Sequence, residues 1–121
     1  MIVVDKQRLP GYDLGAPPNG TQRMYAIAFD LVVEEIRAHY SATSPNNAYG
    51  EVRAILEDEG FVWRQGSVYF GDPARVTAVT CVLATQRLSA ELPWFSQCVR
   101  DIRMLRIEEN NDLGPALAAS V

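Results

Sequence analysis

Two hydrophobic periods alternate along the middle of this chain. In Met24–Leu31 the period is two: Tyr25, Ile27, Phe29 and Leu31 fall on one face, Ala26, Ala28 and Asp30 on the other. That alternation predicts a half-buried strand. Val32 to Tyr40 then carries Val33, Ile36 and Arg37 at helical spacing, and the polar run Ser41–Asn47 breaks it. From Ala48 the spacing of Val52, Ile55, Leu56 and Glu59 predicts an amphipathic helix, capped by Asn46 or Asn47 and ended by Gly60. Phe61 to Phe70 reads as strand, a kink at Gln65-Gly66, and strand again. Asp72 as cap and Pro73 in the first turn predict a further helix with Val76, Val79, Leu83 and Leu88 as its core stripe. A short helical turn over Pro93–Cys98 precedes a last strand, Val99 to Ile107.

The order is β-α-β-β-α-β. It implies an α+β ferredoxin-like fold: an antiparallel sheet with its helices on one face. The other face needs a cover, and pairing of two copies is the simplest one, so a homodimer is expected. Residues 1–23 are rich in proline and glycine and read as a flexible N-terminal extension. Residues 24–109 form the expected domain and 110–121 a C-terminal tail.

Composition narrows the classes. With 121 residues, 48% hydrophobic and 21% charged, the chain suits one small globular domain. No apolar run approaches the ~20 residues that span a bilayer, and Lys6, Gln7 and Arg8 interrupt any leader-like start. A cytoplasmic location is expected, with no membrane partner. Cys81 and Cys98 share no metal-ligand spacing and are expected to be free, buried thiols. A net charge of −4 argues against broad, salt-driven nucleic-acid binding but leaves room for a local site. His39 is the only histidine, which excludes two-histidine ribonuclease chemistry and multi-histidine zinc sites within one chain.

Asp30 carries the chemical interest. It ends the small-residue face of the first strand, where close packing is expected to desolvate it partly. An ionised carboxylate there needs a partner, a cation or a raised pKa. It is either a paired structural acid or the acid/base of a site.

Three blocks resemble the virulence-associated protein D (VapD) family: Met24–Leu31, Gly60–Tyr69 with its Gln-Gly-Ser-Val-Tyr run, and Trp94–Arg103 with Val-Arg-Asp-Ile-Arg. They stand in the family's order over roughly Met24 to Asp112. The resemblance implies a modified ferredoxin-like fold similar to CRISPR-associated protein 2, a homodimer, and an endoribonuclease that can serve as the toxin of a toxin–antitoxin pair. It places the leading catalytic candidate on Asp30 and the second on Ser67. The polar loop Ser41–Asn47 is longer than the family's, and Cys98 stands where a small polar residue is common.

RNA cleavage requires a base for the attacking oxygen, an acid for the leaving oxygen and positive charge on the phosphate. One route uses Asp30 as base, Ser67 on the phosphate and an arginine, Arg64 or one of Arg100 to Arg106, for the developing charge; it needs burial to make an aspartate a useful base. The other lets Asp30 from each subunit of a dimer, or Asp30 alone, hold a hydrated Mg²⁺ that supplies the charge and the hydroxide. The cofactor expectation is therefore none, or Mg²⁺ on Asp30. Substrate contacts are assigned to Arg64, Gln65, Arg100 and Arg103, with Tyr25 and Trp63 as stacking platforms. The resemblance implies single-stranded RNA as the substrate and an antitoxin protein as a further expected partner. The competing reading is a non-catalytic dimeric interaction module of the same fold.

Overall fold

The computed structural model describes residues 24–40 and 45–118. Residues 1–23 and the Ser41–Ser44 part of the polar loop lie outside them, so the expectations of a flexible arm and of a longer loop fall there. A compact unit spans Met24–Arg106, and the C-terminal segment is described by itself. The elements of the unit are β1 (Met24–Leu31), α1 (Val33–His39), α2 (Pro45–Asp58), β2 (Phe61–Gln65), β3 (Val68–Gly71), α3 (Ala78–Glu91), α4 (Phe95–Cys98) and β4 (Val99–Ile107). The fold is α+β with a four-stranded antiparallel sheet in the order β2-β3-β1-β4.

β1 forms where the alternation predicts it. Ile27, Phe29 and Leu31 enter the core with Ile36 of α1, Val52 and Leu56 of α2, and Cys81, Ala84 and Leu88 of α3. Phe29 stacks on Tyr69 and meets Phe95 edge-on, the arrangements that aromatic quadrupoles favour. The β1–β3 register pairs Ala26 with Phe70, Ile27 with Tyr69 and Ala28 with Val68. β2 and β3 form a hairpin whose register shifts between Trp63 and Gln65, so Arg64 sits at a bulge, and Gly66 takes a positive φ of 51° in the turn.

α2 buries Ala48, Val52, Ile55 and Leu56 as its spacing predicts. Its first residue is Pro45, so Asn46 and Asn47 lie inside the first turn and do not cap it. Gly60, with φ 104°, turns the chain from α2 into β2.

The second long helix departs from expectation at its start and on its face. Asp72 and Pro73 do not begin it. They form a separate turn in which Asp72 Oδ1 accepts from Ala74 N and the Asp72 carbonyl accepts from Arg75 and Val76. α3 starts five residues later, where Thr77 makes a reciprocal capping box with Thr80. Its buried stripe is Cys81, Ala84 and Leu88. Val76 is buried ahead of the helix, but Val79 and Leu83 are 64% and 55% exposed. Small residues face β1 because the sheet approaches closely there, which turns the bulkier ones outward.

Two polar ties hold the helices. Arg87 of α3 binds Asp58, Glu59 and Glu91 at 2.6 to 2.8 Å, and the Tyr40 hydroxyl after α1 donates to Glu51 of α2. Cys81 and Cys98 are free and buried, as expected. In the C-terminal segment, Gly114–Ala118 form a short helix, α5, preceded by Asp112, whose Oδ1 accepts from Gly114 N. No helix of the described residues is long and apolar enough to cross a membrane.

Candidate active site

The strand alternation of β1 places Asp30 on the face opposite Phe29, at the end of the sheet where the hairpin turn also lies. The side chain is 51% exposed. The expected desolvation is absent: the alanines Ala26 and Ala28 are shielded within the sheet, but the strand ends before any element covers Asp30. What it has is a partner. Arg100 of β4 directs both Nε, at 3.0 Å, and Nη2, at 2.7 Å, onto Asp30 Oδ2. The carboxylate in turn holds the Arg100 guanidinium above its ordinary range. Asp30 Oδ1 has no hydrogen-bond partner among the described residues. The pair is thus oriented but not sealed.

Ser67 sits in the hairpin turn next to the same strand end. Its carbonyl accepts from Phe29 N at 3.1 Å, which extends the β1–β3 register by one pair. Residues opposite each other in an antiparallel register share a face. Ser67 is therefore on the Phe29 side and Asp30 on the other. The two candidates are neighbours along the backbone and stand on opposite faces of one sheet edge; no side-chain hydrogen bond joins them.

The substrate-contact candidates divide in the same way. Arg103 pairs with Asp101 on its own strand at 3.0 Å, away from the Asp30 carboxylate. Arg64 lies 5.3 Å over the ring of Phe70, whose partner Ala26 is on the Asp30 face. Gln65 is exposed opposite Val68. Tyr25 is half-buried and packs against the core. Trp63 is 41% exposed, with Arg53 of α2 at 4.0 Å over its ring and its Nε1 donating to the Gly66 carbonyl at 2.8 Å. Arg53 was not legible as a site residue, because in the sequence it only flanks the Val52/Leu56 core stripe; the packing of α2 on β2 creates its contact.

His39 pairs only with Glu35, one turn away at 3.3 Å. No group of three or more His, Cys, Asp or Glu able to hold a metal exists among the described residues. Mg²⁺ takes an octahedral shell of oxygens, whereas this edge offers one carboxylate with one oxygen already bound by Arg100. The described residues of one chain form no cage for the ion; Mg²⁺ here would be held by Asp30 alone, or by Asp30 of both subunits, and would take the rest of its shell from water and phosphate.

The family described as CRISPR associated protein Cas2 matches residues 23–113. The chain belongs to this family and to its VapD group. It is 53% identical over 95 residues to "Endoribonuclease VapD 2" of Riemerella anatipestifer, covering 78% of this chain and 100% of that protein. It is 48% identical to "Endoribonuclease VapD homolog" of Helicobacter pylori, over 78% of this chain and 96% of the relative. Identity is 39% to "Endoribonuclease VapD" of Dichelobacter nodosus, over 74% and 91%.

Proposed function

We propose that this protein is an endoribonuclease that cleaves single-stranded RNA and works as a homodimer. The observation that carries the reading is the half-exposed carboxylate of Asp30, gripped through Oδ2 by Arg100 and without a partner among the described residues at Oδ1, in a chain whose VapD relatives bear the name endoribonuclease.

The chemistry follows from the parts. Asp30 Oδ1 takes the proton of the attacking oxygen as that oxygen bonds to phosphorus. Arg100, already aligned beside it, stabilises the charge that accumulates on the phosphate. The bond to the leaving oxygen breaks, and that oxygen takes a proton from solvent. Ser67, across the strand edge, hydrogen-bonds the RNA strand on its other side. The sequence expectation of a buried base is replaced by a positioned, solvent-facing one. No step above runs through a metal ion; Asp30 is the residue that would hold a hydrated Mg²⁺, which would supply charge at the phosphate and a hydroxide.

The dimer reading rests on apolar surface. Val62 on the sheet face away from the helices and Met104 and Leu105 on β4 are exposed, and a second copy would cover them. The free thiols suit a reducing cytoplasm. In the cell the proposed role is that of a toxin restrained by an antitoxin protein; growth arrest on expression of the native chain, and none with Asp30→Ala, is the outcome that reading requires.

The test of the enzyme itself is cleavage of a fluorescent single-stranded RNA by purified protein beside Asp30→Ala, each with and without EDTA. General-base loss is worth ~10²–10⁴ in rate, so a fall of at least about a hundredfold is expected, with no effect of EDTA. Equal cleavage by both proteins removes Asp30 from the reaction. Loss of activity in EDTA restores the Mg²⁺ route and refutes the metal-free one.

A further inference from the structure

The arginines of this acidic chain are not equivalent. Arg87 is held by three carboxylates, Arg100 by Asp30 and Arg103 by Asp101. Arg53 and Arg64 form no ion pair among the described residues; each lies against an aromatic ring of the β2–β3 hairpin instead. That hairpin carries the Gln65-Gly66-Ser67 turn.

The register decides which of the two belongs with Ser67. Trp63 pairs with Tyr69, and Tyr69 with Ile27. Phe29 bonds to the Ser67 carbonyl. Trp63, Tyr69, Phe29 and Ser67 therefore share the helix side of the sheet, while Phe70, under Arg64, pairs with Ala26 on the far side. The Trp63 indole is tied to the turn by its bond to Gly66, the residue before Ser67. The guanidinium resting on that indole is Arg53, and it also faces the hydroxyl of the buried Tyr69.

We infer that Arg53, stacked on Trp63 beside Ser67, is a substrate-binding residue that grips single-stranded RNA on the helix side of the sheet edge. This rests on the endoribonuclease reading and adds to it a second contact region, distinct from Asp30 and Arg100. The Arg53 guanidinium is held between the Trp63 ring and the Tyr69 hydroxyl that it hydrogen-bonds, and the N–H groups that do not meet Tyr69 remain for contact to a phosphate. The half-buried guanidinium and the partly exposed indole together offer a stacking surface for a base, which single-stranded RNA presents and duplex RNA does not. An RNA strand lying across the edge would meet Asp30 and Arg100 on one side and Ser67, Trp63 and Arg53 on the other.

The experiment is equilibrium binding of a fluorescent single-stranded 2′-O-methyl oligonucleotide by anisotropy, across a salt series, for the full chain and for Arg53→Ala, Arg53→Lys and Arg37→Ala. Arg37 is an exposed α1 arginine assigned no role, and its removal makes the same charge change. Arg53→Ala is expected to bind about tenfold more weakly, with a log–log salt slope shallower by about 0.7 for one lost phosphate contact on a single strand. Arg53→Lys is expected to bind as weakly as the alanine variant, because an ammonium is not a planar fork; Arg37→Ala should stay within twofold of the native chain. Binding by Arg53→Ala within twofold of the native protein, or full recovery by lysine, overturns the inference. Should the alanine variant not fold, the lysine variant alone decides it. The two readings fail separately: a native chain that cleaves RNA while Arg53→Ala binds normally refutes only this contact, whereas a native chain that neither cleaves nor binds RNA refutes the endoribonuclease.

Discussion

Arg100 holds Asp30 by a single oxygen. Both Nε and Nη2 converge on Oδ2 across 70 positions of sequence. A side-on, bidentate grip would have occupied both oxygens. The one-oxygen grip anchors the carboxylate at Oδ2 and leaves Oδ1 without a partner among the described residues.

Removing the guanidinium should therefore affect catalysis far more than folding. The pair is more than half exposed on both sides, and exposed pairs contribute little to stability. Arg100→Ala is expected to lower the cleavage rate by ~10²–10³, in the range of other lost transition-state donors, while the urea midpoint barely moves. A midpoint shift with cleavage intact would reverse the assignment.

The true start of α3 can be tested against the false one. Thr77→Ala breaks a reciprocal capping box and should cost about 1 kcal/mol. Asp72→Ala removes only a local turn bond to Ala74 and should cost clearly less. Urea unfolding of the two variants gives the comparison; a larger loss at Asp72 would place the helix start where the sequence pattern suggested.

Gly71 is required by space and not by its backbone angle. A Cβ there would lie 2.5 Å from Val76 Cγ1 and 2.7 Å from Val76 Cβ, and Val76 is buried and cannot retreat. Gly71→Ala should destabilise by roughly 1–3 kcal/mol, as overpacked cores do. The double variant with Val76→Ala should not lose the two costs in full, because the contacts to the two Val76 methyls go with the valine while only the 2.7 Å approach to its Cβ stays.

Stability should fall in alkali. Burial raises the thiols of Cys81 and Cys98 and the phenol of Tyr69, and the hydrogen bond to Glu51 pushes Tyr40 up to about 12. In each case the folded state binds the proton more tightly than the unfolded chain. Stability is then fully present below the unfolded values, thiols first, and drains as pH rises through the folded ones. Urea midpoints from pH 7 to 11 should decline, and Tyr40→Phe should flatten the upper part of the decline. A midpoint constant to pH 11 would contradict the sign.

Local pattern alone was enough for β1, α2, the β2–β3 hairpin and β4, because a period of two or of 3.6 and a glycine at a turn are short-range properties. It also singled out Asp30 and Ser67, through the blocks shared with the VapD family. It misjudged α3, where Val79, Val82 and Leu83 are as apolar as a core stripe and only the close approach of the sheet decides that Cys81, Ala84 and Leu88 face inward. Tertiary structure alone assigned the partners: Arg100 to Asp30, Arg53 to Trp63, and Ser67 to the opposite face from the acid. Those pairings depend on strand order and on helix packing across dozens of residues, and a carboxylate's burial or a guanidinium's company has no period along the chain from which it could be read.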